Sequence, residues 1–338
     1  MRTPSVAPHR RSFAARAAVL AVVALLAACR GAPPPASPDA SKPAPTPVRL
    51  ALNWVPEPEF GGFYAARETG AYASHGLDVS ITAGGAGAPV LQMVASGQAD
   101  FGISASDEIL LARAQGADVV GVYAIYQTSP QGIMAHPSHG ATLAEVFSKG
   151  TVALEPGLPY AKFLKHTFGE SPGARLVPYD GGVARFVADA EKTFAQQCFV
   201  TSEPLAARKQ GLDPKVFLIA DAGFNPYVGV VIVRRETLTT RRELVRQFVA
   251  ASRAGWQSYL SDPAPANAVM AKLNTTMSPE TFAAAAQAQV PHVVTEDTNT
   301  RGLGTMTRAR WETLGRQLVT IGLLPSAPDV GAAFELVE

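Results

Sequence analysis

The sequence predicts an α/β protein made of βαβ units, with mainly parallel sheets flanked by helices and length enough for two lobes. Three observations carry this. Short apolar runs recur at 101–104, 119–127, 151–155, 176–179, 216–220 and 229–233 with helical patterns between them, the alternation that builds parallel sheets covered by helices. Residues 50–81, LALNWVPEPEFGGFYAARETGAYASHGLDVSI, read as strand, turn, helix, turn, strand. From Val48 onward about 290 residues hold one cysteine, Cys198. No internal disulfide can form, so the fold stands on its core, and this length suits two lobes.

The first residues read as an export signal. Arg2, Arg10, Arg11 and Arg16 precede an apolar run at 17–28, and Leu26, Ala27, Ala28 and Cys29 form a lipobox. The run is shorter than the roughly 20 residues a spanning helix needs, so 1–28 is expected to be a cleaved signal peptide. Cys29 would then be the lipidated first residue of an exported, membrane-anchored protein facing the periplasm or the cell exterior. Arg10, Arg11, Ser12 and Phe13 also match part of a twin-arginine signal. Residues 29–47, rich in Pro, Ala and Ser, read as a tether with nothing to bury. Cleavage removes four arginines and no acid, taking the formal charge from +1 to −3. That balance, with no clustered basic face, excludes a nucleic-acid partner.

In chain order, Leu50 and Leu52 alternate along a strand to Trp54, which Pro56 and Pro58 stop. Asn53, Trp54, Glu57, Glu59 and Phe60 fall in the turn, where open α/β sheets bind ligands. A helix follows Gly61 and Gly62 and ends at Gly70; Gly76 leads into a strand at 78–81. The loop AGGAGAP at 83–89 lacks the Lys and Ser/Thr of a phosphate loop, although it would aim backbone N–H groups at a ligand before a helix at 90–96. Residues 100–115 repeat the arrangement, a strand to Ser104 and a helix opening at Ser106 or Asp107. Asp107 and Glu108 stand where a nucleophile elbow needs glycine, which excludes that type of hydrolase. Ser104 and Ser106 are candidate ligand hydroxyls or simple helix caps. His136 and His139, separated by Pro137, are expected in a surface loop rather than at a metal.

Glu155 follows the strand 151–154 and precedes Gly157 and a helix opened by Pro159. Cys198 is expected at the head of a strand as a small buried hydrophobe. Glu203 ends that strand and precedes a helix opened at Pro204, so its carboxylate either faces a ligand or stabilises the helix start. Toward the C-terminus, Thr240 and Glu243 suggest a capping box for a helix burying Val245, Phe248, Val249, Trp256, Tyr259 and Leu260. Ser278 with Pro279 opens another, and Trp311, Leu314, Leu318 and Ile321 lie along a third that stops at Gly322. These helices read as scaffold.

Asn53, Trp54 and Pro56, then Gly62, Tyr64 and Ala66, then Gly70 and Tyr72, then Gly76, Leu77, Asp78 and Val79 form a pattern that resembles a known family. It is that of the periplasmic binding proteins of ABC importers in the thiamine-pyrimidine and aliphatic-sulfonate group, which includes the yeast-type thiamine pyrimidine synthases. The resemblance extends, more weakly, over roughly 48–324. It implies a two-lobed type II periplasmic binding fold with the ligand cleft between lobes, lobe 1 being 48–130 plus 227–338 and lobe 2 being 131–226. The crossings would fall near 127–132 and 224–230, where proline and glycine could serve as hinges. It further implies a monomer that hands a small molecule to an ABC permease and ATPase.

In the synthases the place after the third strand carries a lysine holding pyridoxal phosphate and a histidine consumed in the reaction. Here the matching positions are Ser104 and Glu108. The cysteine cluster of those enzymes is matched by Phe224, Asn225, Pro226, Tyr227 and Val228. A Schiff base needs an amine and a metal site needs thiolates or imidazoles, so no cofactor and no covalent chemistry is expected. Glu203 and Pro204 match a family pair that faces the cleft. The candidate ligand set is then Asn53 and Gly62 at the turn, the aromatics Trp54, Phe60, Tyr126 and Tyr227, the hydroxyls of Ser104 and Ser106, and the acceptors Glu155 and Glu203. Relatives that bind thiamine pyrimidines carry Asn and His where this chain has Glu57 and Phe60. The expected ligand is a small aromatic heterocycle, a thiamine-precursor pyrimidine or a flavin-like ring. The alternatives are a synthase-like enzyme and a ligand-sensing lipoprotein.

Overall fold

The structure, a computed structural model, describes residues 44–169 and 174–337. Cys29, the expected signal peptide at 1–28 and most of the expected tether at 29–47 lie outside the described residues. Among the described residues ten strands form two sheets. β1 (Thr46–Ala51), β2 (Leu77–Thr82), β3 (Phe101–Ser104) and β4 (Val119–Tyr126) come first. β5 (Gln131–Ala135), β6 (Gly150–Leu154), β7 (Ala174–Pro178), β8 (Phe194–Phe199) and β9 (Lys215–Leu218) follow, and β10 (Val228–Arg234) returns. The first sheet has the order β2-β1-β3-β10-β4 and the second β7-β6-β8-β5-β9. In the first, β10 is antiparallel to both neighbours; in the second, β5 is. The remaining strands of each sheet point one way. The two sheets are therefore built alike, and in each the antiparallel strand is the first one entered after the chain changes sheet.

The chain leaves the first sheet at Tyr126 and enters the second at Gln131, then leaves the second at Leu218 and re-enters the first at Val228. Arg310, on the helix Arg308–Thr320, clamps the two crossings together. It donates to the carbonyls of Gln127, Asn225 and Pro226 and to Asn225 Oδ1, while its guanidinium lies 3.8 Å from the Tyr227 ring centroid. Asn225 Oδ1 also accepts from the Ser129 N–H at 2.8 Å.

Several local expectations are corrected. β1 ends at Ala51, not Trp54, because its pairing with β2 runs from Thr46 to Ala51; Thr46 and Pro47, read as tether, are its first residues. No capping box forms at Thr240, which ends a separate helix Arg235–Thr240, and Glu243 pairs with Arg246 instead. Cys198 is the fifth residue of β8 rather than its head, since β8 pairs with β5 from Ala195 to Phe199. His136 and His139 are buried rather than in a surface loop. His136 stacks on Phe186 at 4.0 Å, and His139 Nε2 lies 3.0 Å from the Lys149 carbonyl.

The helix Gly61–Glu68 lies against the 20-residue helix Arg242–Ser261, whose Phe248 stacks on Phe101 of β3 at 3.9 Å. Close approach needs small residues at the crossing: a Cβ on Gly61 would meet the Tyr259 ring, one on Gly62 the Trp256 ring, and one on Gly255 the Gly62 carbonyl. These helices hold the turn that follows β1 in place.

Candidate functional site

The turn between β1 and the helix Gly61–Glu68 carries two carboxylates on a braced backbone. Asn274 Nδ2 donates to the Pro56 carbonyl at 3.2 Å, and Gln289 Nε2 donates to the Pro58 carbonyl at 3.0 Å. Gln289 Oε1 in turn accepts from the Tyr126 hydroxyl at 2.7 Å. Both braces come from the C-terminal helical region that sequence reasoning treated as scaffold. Gly84 closes the turn from behind: its N–H donates to the Trp54 carbonyl at 2.9 Å, and a Cβ there would strike the Leu52 carbonyl. The glycine-rich loop thus supports Trp54 at its first glycines.

Across from this turn stands Glu203, at the start of the helix Glu203–Lys209. Its carboxylate accepts from the Tyr179 hydroxyl at 2.9 Å and from the Phe199 N–H at 2.7 Å. Burial raises its pKa, and those two donors hold the rise back. Glu57 is pushed up to about 7 by burial and then by Glu203, with the Trp54 indole and Asn274 pulling the other way. Glu59 is pushed up to about 8 by burial, then by Glu57 and Glu203. Three carboxylates from the two sheets thus face one another. Among the described residues no lysine or arginine is paired with them, so the repulsion goes uncancelled.

The lobes touch around this cluster. The Phe199 ring meets Tyr126 edge-on at 6.0 Å, and Lys209 donates to Ser278 Oγ at 2.6 Å and to Thr281 Oγ1. Trp54 stays 42% exposed on the lip, with Asn53 beside it.

The other sequence-predicted residues divide by where their side chains go. Phe60 is buried in the first core, Gly62 sits under Trp256, and Tyr126 is tied to Gln289. Ser106 Oγ accepts from the Tyr227 N–H at 2.8 Å, and the Tyr227 hydroxyl accepts from the Thr307 N–H at 3.0 Å. Their polar atoms are used inside the protein. Ser104 donates to Glu108 at 2.7 Å, and Glu155 is exposed on a turn whose N–H donates to Gln197 at 2.5 Å. Trp54, whose indole bonds Glu57, and Glu203, whose charge acts on Glu57, are the ones that the structure brings to the same place. Sequence reasoning put Glu57 and Glu59 in the right turn without choosing them, and it missed Tyr179, Asn274 and Gln289. The alternation of Pro with Glu at 56–59 was the available signal: it fixes the backbone and sends both acids from one short turn.

The three carboxylates Glu57, Glu59 and Glu203 lie within a stretch that matches a known family. Residues 57–266 match the NMT1/THI5-like family. The chain belongs to that family. The riboflavin-binding protein RibY of Chloroflexus aurantiacus is 29% identical, over 93% of this chain and 94% of the relative. A formylaminopyrimidine-binding protein of Halalkalibacterium halodurans is 23% identical over 64% of this chain and 67% of its own. The 4-amino-5-hydroxymethyl-2-methylpyrimidine phosphate synthase THI11 of Saccharomyces cerevisiae matches at 27% over only 28% of each chain. Among solved structures, the periplasmic aliphatic sulphonate binding protein SsuA of Escherichia coli has a TM-score of 0.67 at 15% identity, over 87% of this chain and 94% of that one. The fold is that of the periplasmic binding proteins, two lobes of α/β structure.

Proposed function

We propose that this protein is the solute-binding component of an ABC importer and captures a nitrogen heterocycle bearing N–H donors, of the thiamine-precursor pyrimidine or flavin kind, without covalent chemistry. The observation that carries this reading is the cluster of Glu57, Glu59 and Glu203, three carboxylates with raised pKa values and, among the described residues, no paired cation. Such a cluster accepts hydrogen bonds and welcomes positive charge; it repels a sulfonate or a phosphate. Trp54 at the lip supplies a face for an aromatic ring, and the relatives that match over most of the chain are named for riboflavin and for a formylaminopyrimidine.

The lobes are taken to be 48–130 with 227–338 and 131–226. Cys29 is taken to carry the lipid, anchoring an exported monomer near its permease and ATPase. The positions that match the synthase lysine and histidine are Ser104 and Glu108, hydrogen-bonded to each other at 2.7 Å, and neither can form an aldimine.

Titration calorimetry with riboflavin, 4-amino-5-hydroxymethyl-2-methylpyrimidine and an alkanesulfonate tests the ligand class. A heterocycle should bind and the sulfonate should not. Glu203→Gln should weaken the heterocycle by about tenfold to a hundredfold, since a hydrogen bond to a charged acceptor contributes roughly 1.5–3 kcal/mol. Sulfonate binding with heterocycles excluded would overturn the assignment.

A further inference from the structure

The helix Ser106–Ala114 opens with two acids whose fates differ. Glu108 Oε2 is used internally, accepting from Ser104 Oγ at 2.7 Å and from the Ala105 N–H at 3.1 Å. Asp107 is only 6% exposed, and its Oδ1 has no hydrogen-bond partner. Buried acceptors are almost always satisfied, and one left open bears the full cost of losing its water. Burial and then the charge of Glu108 push Asp107 up to about 7, and the N–H groups of Asp107 and Glu108 hold the rise back without reaching the open oxygen.

Asp107 lines a cavity of about 120 Å³ between the lobes, walled by Tyr160, Phe199 and Phe224, with Ser129 and Gln131 at the crossing. The volume is below the roughly 150 Å³ that admits benzene, so it suits a substituent of a few heavy atoms rather than a second ring system. Phe199 joins this cavity to the acidic cluster: it lines the one, and its N–H donates to Glu203 in the other. A ligand ring held at Glu57, Glu59 and Glu203 could thus extend a side chain past Phe199.

We propose that Asp107 is a specificity residue whose open Oδ1 accepts an O–H or N–H from the ligand's substituent, a hydroxylated or aminated chain, and turns away a phosphate or sulfonate ester at that position. This deepens the function proposed above and rests on it for the identity of the cleft. The carboxylate is kept because it is satisfied only when the cavity is filled.

The test compares wild type with Asp107→Asn, and with Asp107→Ser should the first misfold. Flavin fluorescence is titrated with riboflavin, which carries a hydroxylated chain, lumiflavin, which has the same ring without it, and riboflavin 5′-phosphate; calorimetry adds 4-amino-5-hydroxymethyl-2-methylpyrimidine and 4-amino-2,5-dimethylpyrimidine. Wild type should prefer the hydroxylated member of a pair at least tenfold and reject the phosphate ester, and the substitution should abolish that preference while leaving the ring-only probe within about twofold. An unchanged preference in the variant would overturn the proposal. Independently of any ligand, Asp107→Asn should raise the melting temperature of the free protein by a few degrees at pH 9, where the carboxyl pushed up to about 7 is ionised, because it removes a buried charge with an open oxygen. Equal or lower stability would show that Oδ1 is satisfied without ligand, and the proposal falls. If no probe binds wild type, the ligand class of the previous section falls, and the stability comparison decides for or against Asp107.

Discussion

Glu59 destabilises the free protein at alkaline pH. Burial, then Glu57 and Glu203, push its carboxyl up to about 8 from an ordinary value of 4.5, so the folded state binds the proton more tightly than the unfolded chain. Stability from that difference is fully present below about pH 4.5 and is lost as pH rises through 8. Glu57, raised to about 7, acts in the same direction. Glu59→Gln should therefore raise the melting temperature by several degrees at pH 9 and change it little at pH 5, as calorimetric scans at both values would show. A stabilisation of equal size at the two pH values would mean that charge is not the cause. The local sequence could place these acids, because Pro56 and Pro58 stop a strand wherever they occur. It could not reveal their mutual repulsion with Glu203, which arises from chain segments about 145 residues apart. Asp107 was legible only as a residue that spoils a hydrolase motif; its open oxygen is a property of the assembled cavity.

Element boundaries followed the sequence where punctuation was strong. The helix ends at Gly70 and Gly322 both carry positive φ, 74° and 71°, which glycine adopts without strain. Pro159 and Pro279 stand at helix starts as expected. β5 and β8 before Cys198 are not legible as strands, because Gln131, Gln196 and Gln197 interrupt the apolar pattern; Gln196 bonds the Gly182 carbonyl, and Gln197 accepts from the Glu155 N–H and the Tyr160 hydroxyl, partners distant in sequence. Arg310 likewise gave no local sign of its role, since its partners are backbone carbonyls from both crossings. Arg310→Ala should leave those buried acceptors unpaired and cost on the order of 3 kcal/mol or more; urea unfolding is the measurement, and a loss below about 1 kcal/mol would show that the clamp is not structural. Gly62→Ala should cost about 1–3 kcal/mol through overpacking against Trp256. A neutral result in the same assay would show that the two helices can separate without loss.

For the whole molecule, composition and alternation gave the α/β class, but two lobes joined by two crossings followed only from resemblance to a family. Nothing in a strand's own residues says which sheet it joins. In the proposed function Glu203 from one sheet and Glu57 and Glu59 from the other hold one ligand together; their mutual repulsion, which raises the pKa values of Glu57 and Glu59, would favour the liganded arrangement only when a donor-bearing molecule bridges them. Native mass spectrometry of the protein purified without denaturation tests this most directly. The expected result is a retained small molecule, a nitrogen heterocycle free of phosphate and sulfonate, that is released intact when the protein is unfolded. A covalent adduct that survives unfolding, or a retained sulfonate, would contradict it.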